Sequence, residues 1–340
     1  MGLALASKGG DEQLRRLLLS SAAEMNLWMG RYVLARDQYA EALQLADEIG
    51  DQSGRASLLA DLGWIGLLRG EYDEARKCAA EAISIAAAAG NKRVWAGGLR
   101  LMGELSACGG AYHEAHQLLD RSLELARQLA APAEIAGVLC SQACLALDQT
   151  SFDEAGRLVE ELLALKPLLH TMRRATHSWV LGEVARASGD MEQARAHYQS
   201  DLSESEVSPS PRMQALALRG LADVAIAEGD LAQAAALNAR SLALRAQMED
   251  SPGIASSLEA MAAVAVATDG HQRAARLLGA ARGLRARLGA AASPREQREL
   301  SPTRTAIADK LGTDLAEREL SAGQQLTVAE AIDLARGKSK

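Results

Sequence analysis

Gly30-Arg31-Tyr32-Val33-Leu34-Ala35 returns as Gly70-Glu71-Tyr72-Asp73-Glu74-Ala75 and again as Gly110-Ala111-Tyr112-His113-Glu114-Ala115. The shared frame, Gly-x-Tyr-x-x-Ala, continues in looser form as Thr150-x-Phe152-x-x-Ala155, Gly189-x-Met191-x-x-Ala194, Gly229-x-Leu231-x-x-Ala234 and Gly270-x-Gln272-x-x-Ala275. Successive steps are 40, 40, 40, 39, 40 and 41 residues. A fixed period of this length marks an array in which each unit buries its apolar face against the next.

Each unit reads as two helices. In the second unit, Ser57 to Arg69 is free of Pro and carries Leu58, Leu62, Ile65 and Leu68 at three- and four-residue spacing, one apolar stripe. Gly70 ends that helix, because the left-handed conformation of a helix terminus costs glycine nothing. Tyr72 to Ala89 is the second helix, closed by Gly90-Asn91. Helices of about 17 residues span roughly 25 Å, and the link between them is short enough to force antiparallel packing.

Small residues recur at two positions. After the turn stand Ala35, Ala75, Ala115, Ala155, Ala194, Ala234 and Ala275; seven residues before it stand Ala23, Gly63, Gly103, Ala143, Gly182, Ala222 and Ala263. Glycine inside a helix costs about 1 kcal/mol relative to alanine, so its use here predicts close approach of the two helices of one hairpin.

Composition supports an all-helical chain. Of 340 residues 48% are hydrophobic but only 3% aromatic, and Pro numbers 7, which suits helices and not strands. The net charge is −7, and no basic stripe of the kind a nucleic-acid binder carries is present. Arg15-Arg16 interrupts the leucines around them, and no apolar run approaches the roughly 18 residues of a membrane span. Met1 to Ala6 has neither the charged start and apolar core of a signal peptide nor a myristoylation motif. Cys78, Cys108, Cys140 and Cys144 are too few for a disulfide scaffold and read as small buried side chains in a reducing cytoplasm.

The Gly-x-Tyr-x-x-Ala frame, with Tyr39 and Ala42-Leu43 in the first unit, Leu62-Gly63 and Ala82-Ile83 in the second, and Leu181-Gly182 and Tyr198 in the fifth, resembles the tetratricopeptide repeat. The family's closing Pro is mostly missing, and the period exceeds the family's 34 residues, lengthening each hairpin by about one and a half helical turns. The resemblance implies a right-handed α-solenoid of about seven hairpins over residues 14–289, a flexible stretch at 1–13 and a C-terminal capping segment at 290–340. Within that segment Ala290 to Pro294 reads as a loop. Pro302 to Leu311 reads as a helix stopped near Gly312, and Thr327-Val328-Ala329-Glu330 is a capping box for a short last helix over Ala331 to Arg336. Ser203 to Pro211 reads as an exposed connector.

The tail carries a second resemblance. Ala275-Arg276-Leu277-Leu278-Gly279-Ala280-Ala281, then Leu284-Arg285-x-Arg287-Leu288-Gly289, Lys310-Leu311-Gly312 and Gly323 to Ile332 follow in the order seen at the end of bacterial regulators of the LuxR/AfsR and maltose-regulator class. That resemblance implies the effector-sensing arm of a transcriptional regulator. The chain lacks the ATPase signature of that class: Gly337-Lys338-Ser339 would need glycine at 332, where Ile332 stands. No basic helix-turn-helix is present either.

In tetratricopeptide arrays the first helix of each hairpin lines a concave groove. The family's groove positions map here onto Glu24, Trp28, Trp64, Arg100, Glu104, Trp179, Glu183, Arg186, Arg219 and Asp223. Glu24, Glu104, Glu183 and Asp223 hold one equivalent position in four units. Acids, arginines and tryptophan on one wall suit a protein segment or a small polar effector; as plain helix surface, Arg100–Glu104 and Arg219–Asp223 would be pairs contributing about 0.2–0.5 kcal/mol each. His113 and His116 lack the His-Glu-x-x-His spacing of a zinc helix, and Cys140 with Cys144 has no partner His or Cys pair. The reading is therefore a non-enzymatic interaction scaffold with no cofactor, metal, membrane or direct nucleic-acid partner, leaving a homodimer open. The alternatives are a stand-alone adaptor or chaperone-like scaffold outside transcription, or an enzyme using the groove.

Overall fold

The computed structural model describes residues 12–165, 171–207 and 210–337. Residues 1–11 of the stretch expected to be flexible over 1–13, Ser208-Pro209 of the connector, and Lys338-Ser339 fall outside the described residues, while Glu12 and Gln13 already belong to the first helix. Every regular element among the described residues is an α-helix, giving an all-α helical-repeat fold. The helices are α1 (Glu12–Trp28), α2 (Tyr32–Glu48), α3 (Gln52–Arg69), α4 (Tyr72–Ala88), α5 (Lys92–Cys108), α6 (Tyr112–Gln128), α7 (Pro132–Asp148), α8 (Phe152–Leu165), α9 (Thr171–Ala187), α10 (Met191–Val207), α11 (Pro211–Ala227), α12 (Leu231–Met248), α13 (Ser251–Ala267), α14 (His271–Leu288), α15 (Pro294–Leu311), α16 (Thr313–Gln324) and α17 (Val328–Ala335). Two compact units divide them. Unit one comprises residues 12–107, 111–142 and 162–165; unit two comprises 108–110, 143–161, 171–207 and 210–337.

One left-handed residue closes each described helix-to-helix turn from α1 to α15: Gly30, Gly50, Gly70, Gly90, Gly110, Ala130, Thr150, Gly189, Gly229, Glu249, Asp269 and Gly289. This corrects the register of the seventh unit. Asp269 is the left-handed residue, at φ 61°, whereas Gly270 caps α14 at φ −86°. Aspartate tolerates that conformation better than most side chains, so glycine was not required there. The last step is 40 residues, not 41, and the paired small residues become Ala262 and Ala274, both fully buried, with Ala263 only half-buried.

The small positions are contact points. Ala35, Ala75, Ala115, Ala155, Ala194 and Ala234 are all 1% exposed or less. A Cβ on Gly66 would sit 3.0 Å from Ala75 Cβ, and one on Gly103 would sit 2.9 Å from Leu119 Cγ and 3.3 Å from the Ala115 carbonyl oxygen. A Cβ on Gly63 would also meet Leu101 of the next hairpin at 2.6 Å. Glycine makes room both within a hairpin and between hairpins.

Three elements differ from expectation. Helix α3 begins at Gln52, five residues before Ser57, because Asp51 caps it by accepting from the Gly54 amide at 2.8 Å. Helix α10 runs on through Ser203 to Val207, so the connector is shorter than expected. Helix α15 starts at Pro294, not Pro302: Ser293 and Glu296 form a capping box, the Glu296 amide donating to Ser293 Oγ at 3.2 Å and the Ser293 amide to Glu296 Oε2 at 2.8 Å. Pro302 lies inside this helix and removes the amide that would bond the Arg298 carbonyl. The capping box at Thr327 and Glu330 is present and opens α17.

In unit two, α15 to α17 pack on the last hairpin. Leu300, Ile307, Ala316, Ala331, Leu334 and Ala335 join a core with Leu258, Ala262, Leu277 and Leu284. Helices α14 and α16 touch backbone to backbone. A Cβ on Gly279 would overlap the Leu320 carbonyl, one on Gly323 the Arg276 carbonyl, and one on Gly283 would lie 2.6 Å from the Gln324 carbonyl.

Three substitutions test these turns and contacts. Ala75→Leu is expected to destabilise the chain by about 1–3 kcal/mol through overpacking. Ala130 adopts φ 47° without being glycine. Ala130→Gly is expected to stabilise by about 0.5–1 kcal/mol, since a left-handed alanine costs about 1–2 kcal/mol against glycine's larger entropy loss. Gly90→Ala, with open space at its Cβ, shifts the other way. Urea unfolding of the three variants checks all three signs.

Candidate functional site

In unit one the first helices are α1, α3, α5 and the opening turns of α7. Trp64 on α3 lies under Arg100 of α5, whose guanidinium carbon is 4.3 Å from the ring centroid. Arg100 also donates to the Gly137 carbonyl at 3.4 Å and stands 4.0 Å from Glu104. Glu104 accepts from the Ser141 hydroxyl. A Cβ on Gly137 would sit 3.1 Å from the Arg100 guanidinium, so glycine leaves the space that arginine fills. Trp64, Arg100 and Glu104 are thus brought together by three consecutive first helices.

At the start of unit one, Glu24 and Trp28 are exposed, Trp28 at 37%. Glu24 lies near half-buried Asp61 of α3. Burial, and then the Glu24 charge, raise the Asp61 carboxyl to about 7. Buried Tyr39 is pushed up by burial and then by both acids. Burial raises the Cys140 thiol to about 12, which makes it a poor nucleophile at neutral pH. None of the four cysteines is in a disulfide, and of the four side chains expected to be buried only Cys140 is; Cys78, Cys108 and Cys144 are half-buried.

In unit two the first helices are the end of α7, then α9, α11 and α13. Glu183 of α9 is 4% exposed and its carboxylate takes three donors: Tyr198 Oη at 2.6 Å, Arg295 at 2.6 Å and Arg186 at 3.1 Å. Burial would raise this carboxyl, but Arg186 and Arg295, helped by the Tyr198 hydroxyl, outweigh it and hold it at about 2. Tyr198 itself is fully buried. Its ring fills the space left by Gly182 and Gly220, where a Cβ on either would overlap it. Trp179 packs into the same cluster beside Leu221 and Val224, so it is framework for Glu183. On α11, Arg219 donates to Asp223 at 3.0 Å and reaches α13 at the Ser256 carbonyl, 2.7 Å away.

The first-helix face of unit two is occupied by the chain's own residues 291–299. The Ala291 amide donates to the Cys108 carbonyl at 2.9 Å. Arg295 lies 3.7 Å from Asp148 as well as bonding Glu183. Arg186 donates to Glu299 at 2.8 Å. Arg285 of α14 clasps Glu259 through two bonds of 2.9 Å and Glu296 through one of 2.6 Å. Burial lifts the Asp148 carboxyl to about 6 against the opposing charge of Arg295.

Sequence reasoning missed Asp148, Arg295 and Glu299. Asp148 sits two residues before Thr150, a groove position in the family's scheme. Arg295 and Glu299 are four apart behind Ser293-x-x-Glu296, a capping-box spelling that signals a helix over them. Among the described residues no group of three His, Cys, Asp or Glu side chains is placed to hold a metal. His113 lies 3.0 Å from Gln117 instead. Among the described residues no helix is long and apolar enough to cross a membrane. An open depression of about 560 Å³ on α6, lined by Asp120, Leu123, Glu124, Arg127 and Gln128, includes none of the expected site residues.

A tetratricopeptide-repeat family model matches residues 14–88, spanning the first two hairpins. No curated protein matches the chain in sequence. Among solved structures, BtubC (BKLC) from P. vanneervenii is 18% identical, with a TM-score of 0.47 over 64% of this chain and 92% of that one. Rap protein complexed with Competence and Sporulation Factor is 15% identical, at 0.44 over 94% and 77%. The APC/C hetero-tetramer Cut9–Hcn1 is 12% identical, at 0.30 over 99% and 89%.

The ionisation of Glu183 makes a pH prediction. Its folded value lies below the ordinary 4.5, so its contribution to stability is present above that value and is lost as pH falls toward 2. Asp148, raised from 3.8 to about 6, acts oppositely, favouring the fold as pH drops from 6 to 4. Melting temperature measured between pH 5 and 2.5 is therefore expected to fall less steeply in Glu183→Gln than in the parent.

Proposed function

We propose that the chain is a non-enzymatic interaction scaffold whose first-helix faces bind polypeptide. One observation carries this reading: the face of unit two already holds a polypeptide segment, residues 291–299, through a backbone hydrogen bond at Cys108 and side-chain ion pairs at Asp148, Glu183 and Arg186. Side chains on first helices that satisfy a polypeptide segment here are suited to do the same for a partner. In unit one the Trp64–Arg100–Glu104 cluster offers a stacked cation, an aromatic face and a carboxylate, a set suited to a protein segment. Glu24, Trp28, Arg219 and Asp223 extend the two faces.

The finer reading is the effector-sensing arm of a bacterial transcriptional regulator acting in the cytoplasm. It is supported by the order of the tail motifs from Ala275 to Ile332 and, for the compartment, by four free thiols. The mechanism under this reading is a shift in hairpin packing on binding, favouring whichever arrangement the partner contacts best.

The test is capture of partners from a bacterial lysate, identified by mass spectrometry, with the parent and with Trp64→Ala/Arg100→Ala. A partner retained by the parent and reduced about thirtyfold by the double substitution is expected if each contact carries on the order of 1 kcal/mol. Equal retention removes the unit-one face from the function. Substrate turnover that disappears in Glu183→Gln/Arg186→Ala would turn the reading toward an enzyme.

A further inference from the structure

Residues 291–299 differ from the rest of the tail in what holds them. Downstream, Leu300, Ile307, Ala316, Ala331 and Leu334 are buried in the core of the last hairpin. Upstream of Leu300 the contacts are polar: Ala291 to Cys108, Arg295 to Glu183 and Asp148, Glu296 to Arg285, and Glu299 to Arg186. Pro302 breaks the hydrogen-bond ladder of α15 just beyond this segment. A stretch held by ion pairs, with little apolar burial and a break in its helix, belongs to the low-stability end of a fold.

The receptor beneath it is built independently of the segment. Tyr198 is packed between Gly182 and Gly220 and fixes the Glu183 carboxylate by a 2.6 Å hydrogen bond. Arg186 stands beside it at 3.1 Å and Arg219 holds Asp223. What the receptor takes from the segment is narrow: a guanidinium set between Glu183 and Asp148, and a carboxylate one helical turn later on Arg186. Residues four apart share a helix face, so Arg295 and Glu299 present both groups together. Arg295 spreads its charge over a planar guanidinium, bonding Glu183 at one nitrogen while its Nε stands 3.7 Å from Asp148, whereas lysine concentrates the charge on one ammonium.

We infer that residues 291–299 are an internal stand-in for a partner, and that the face formed by Asp148, Glu183 and Arg186 binds a helical segment of another protein bearing arginine and glutamate in Arg-x-x-x-Glu spacing. This deepens the scaffold reading and rests on it. The partner gains the site by displacing the tail segment, which the tether keeps at high effective concentration. The unit-two face is therefore closed to weak ligands and open to ones that match its charges.

The probe is a fluorescent synthetic peptide of residues 290–301, Ala-Ala-Ala-Ser-Pro-Arg-Glu-Gln-Arg-Glu-Leu-Ser, added to the full chain and followed by anisotropy. Arg295→Ala/Glu299→Ala in the chain empties the receptor and is expected to bind this peptide at least about tenfold more tightly than the parent does, because the tethered competitor is gone. Adding Glu183→Gln to that variant abolishes the gain, and a peptide with lysine in place of its first arginine binds more weakly. A folded double variant that binds no peptide, or binds it equally with and without Glu183→Gln, overturns the inference. Should the double variant not fold, hydrogen exchange of the parent decides. Amides of 295–301 are expected to exchange faster under saturating peptide, and unchanged protection overturns the inference. Capture of a partner lost in Trp64→Ala/Arg100→Ala, together with no peptide binding, would sink this inference while leaving the scaffold reading intact.

Discussion

Each hairpin depends on a gap about one methyl wide. The two helices meet where alanine faces alanine or glycine, and those residues have almost no exposed surface. Close packing leaves no slack, because interiors are as dense as organic crystals and an added methylene must push something aside. The chain answers the same requirement in every unit, with glycine where a neighbour presses hardest, as at Gly63, Gly103 and Gly182. An aromatic content of only 3% has the same cause: few positions in such a stack have room for a ring.

Tyr198, one of several buried tyrosines, shows how such room is made. It is fully buried, and two glycines, Gly182 before it and Gly220 after it, open the space it needs. The energetic return is at its hydroxyl, which would be costly to bury alone but ends 2.6 Å from Glu183. The packing rule of the hairpin thus fixes the position of a carboxylate on the first-helix face of unit two. Trp179, expected on that face, is half-buried and packs against the cluster around Tyr198. Core and site are joined through one tyrosine, so substitutions at Gly182 or Gly220 would disturb both.

The repeat was legible because small residues and left-handed turns are local requirements that the chain must meet at each unit. Where a turn accepts another residue, the signal blurs. Asp269 adopts the left-handed conformation and the neighbouring Gly270 drew the register one residue too far. The start of α15 was hidden for a related reason: proline usually opens helices, and Pro302 sits inside one because Ser293 and Glu296 had already capped it upstream. Pairs within one helix, such as Arg219–Asp223, could be read from spacing. The pairing of Arg295 with Glu183 could not, since the two are 112 residues apart in sequence and nothing local links them.

Charge explains why the tail returns to that place. Where the segment lies, the acids Asp148, Glu183 and Asp223 stand with the bases Arg186 and Arg219. A buried carboxylate left without a cation is expensive, and protonation is its only other escape. Arg295 supplies the missing positive charge, and Glu299 arrives with it to balance Arg186. Unit one solves its own imbalance differently, laying Arg100 over Trp64 and within 4.0 Å of Glu104. The two faces are built on the same repeat, but only the second is completed by a segment from elsewhere in its unit. Under the proposed displacement, a group taking the place of Arg295 has to bring a positive charge to Glu183 and Asp148, because the two acids would otherwise be left without it.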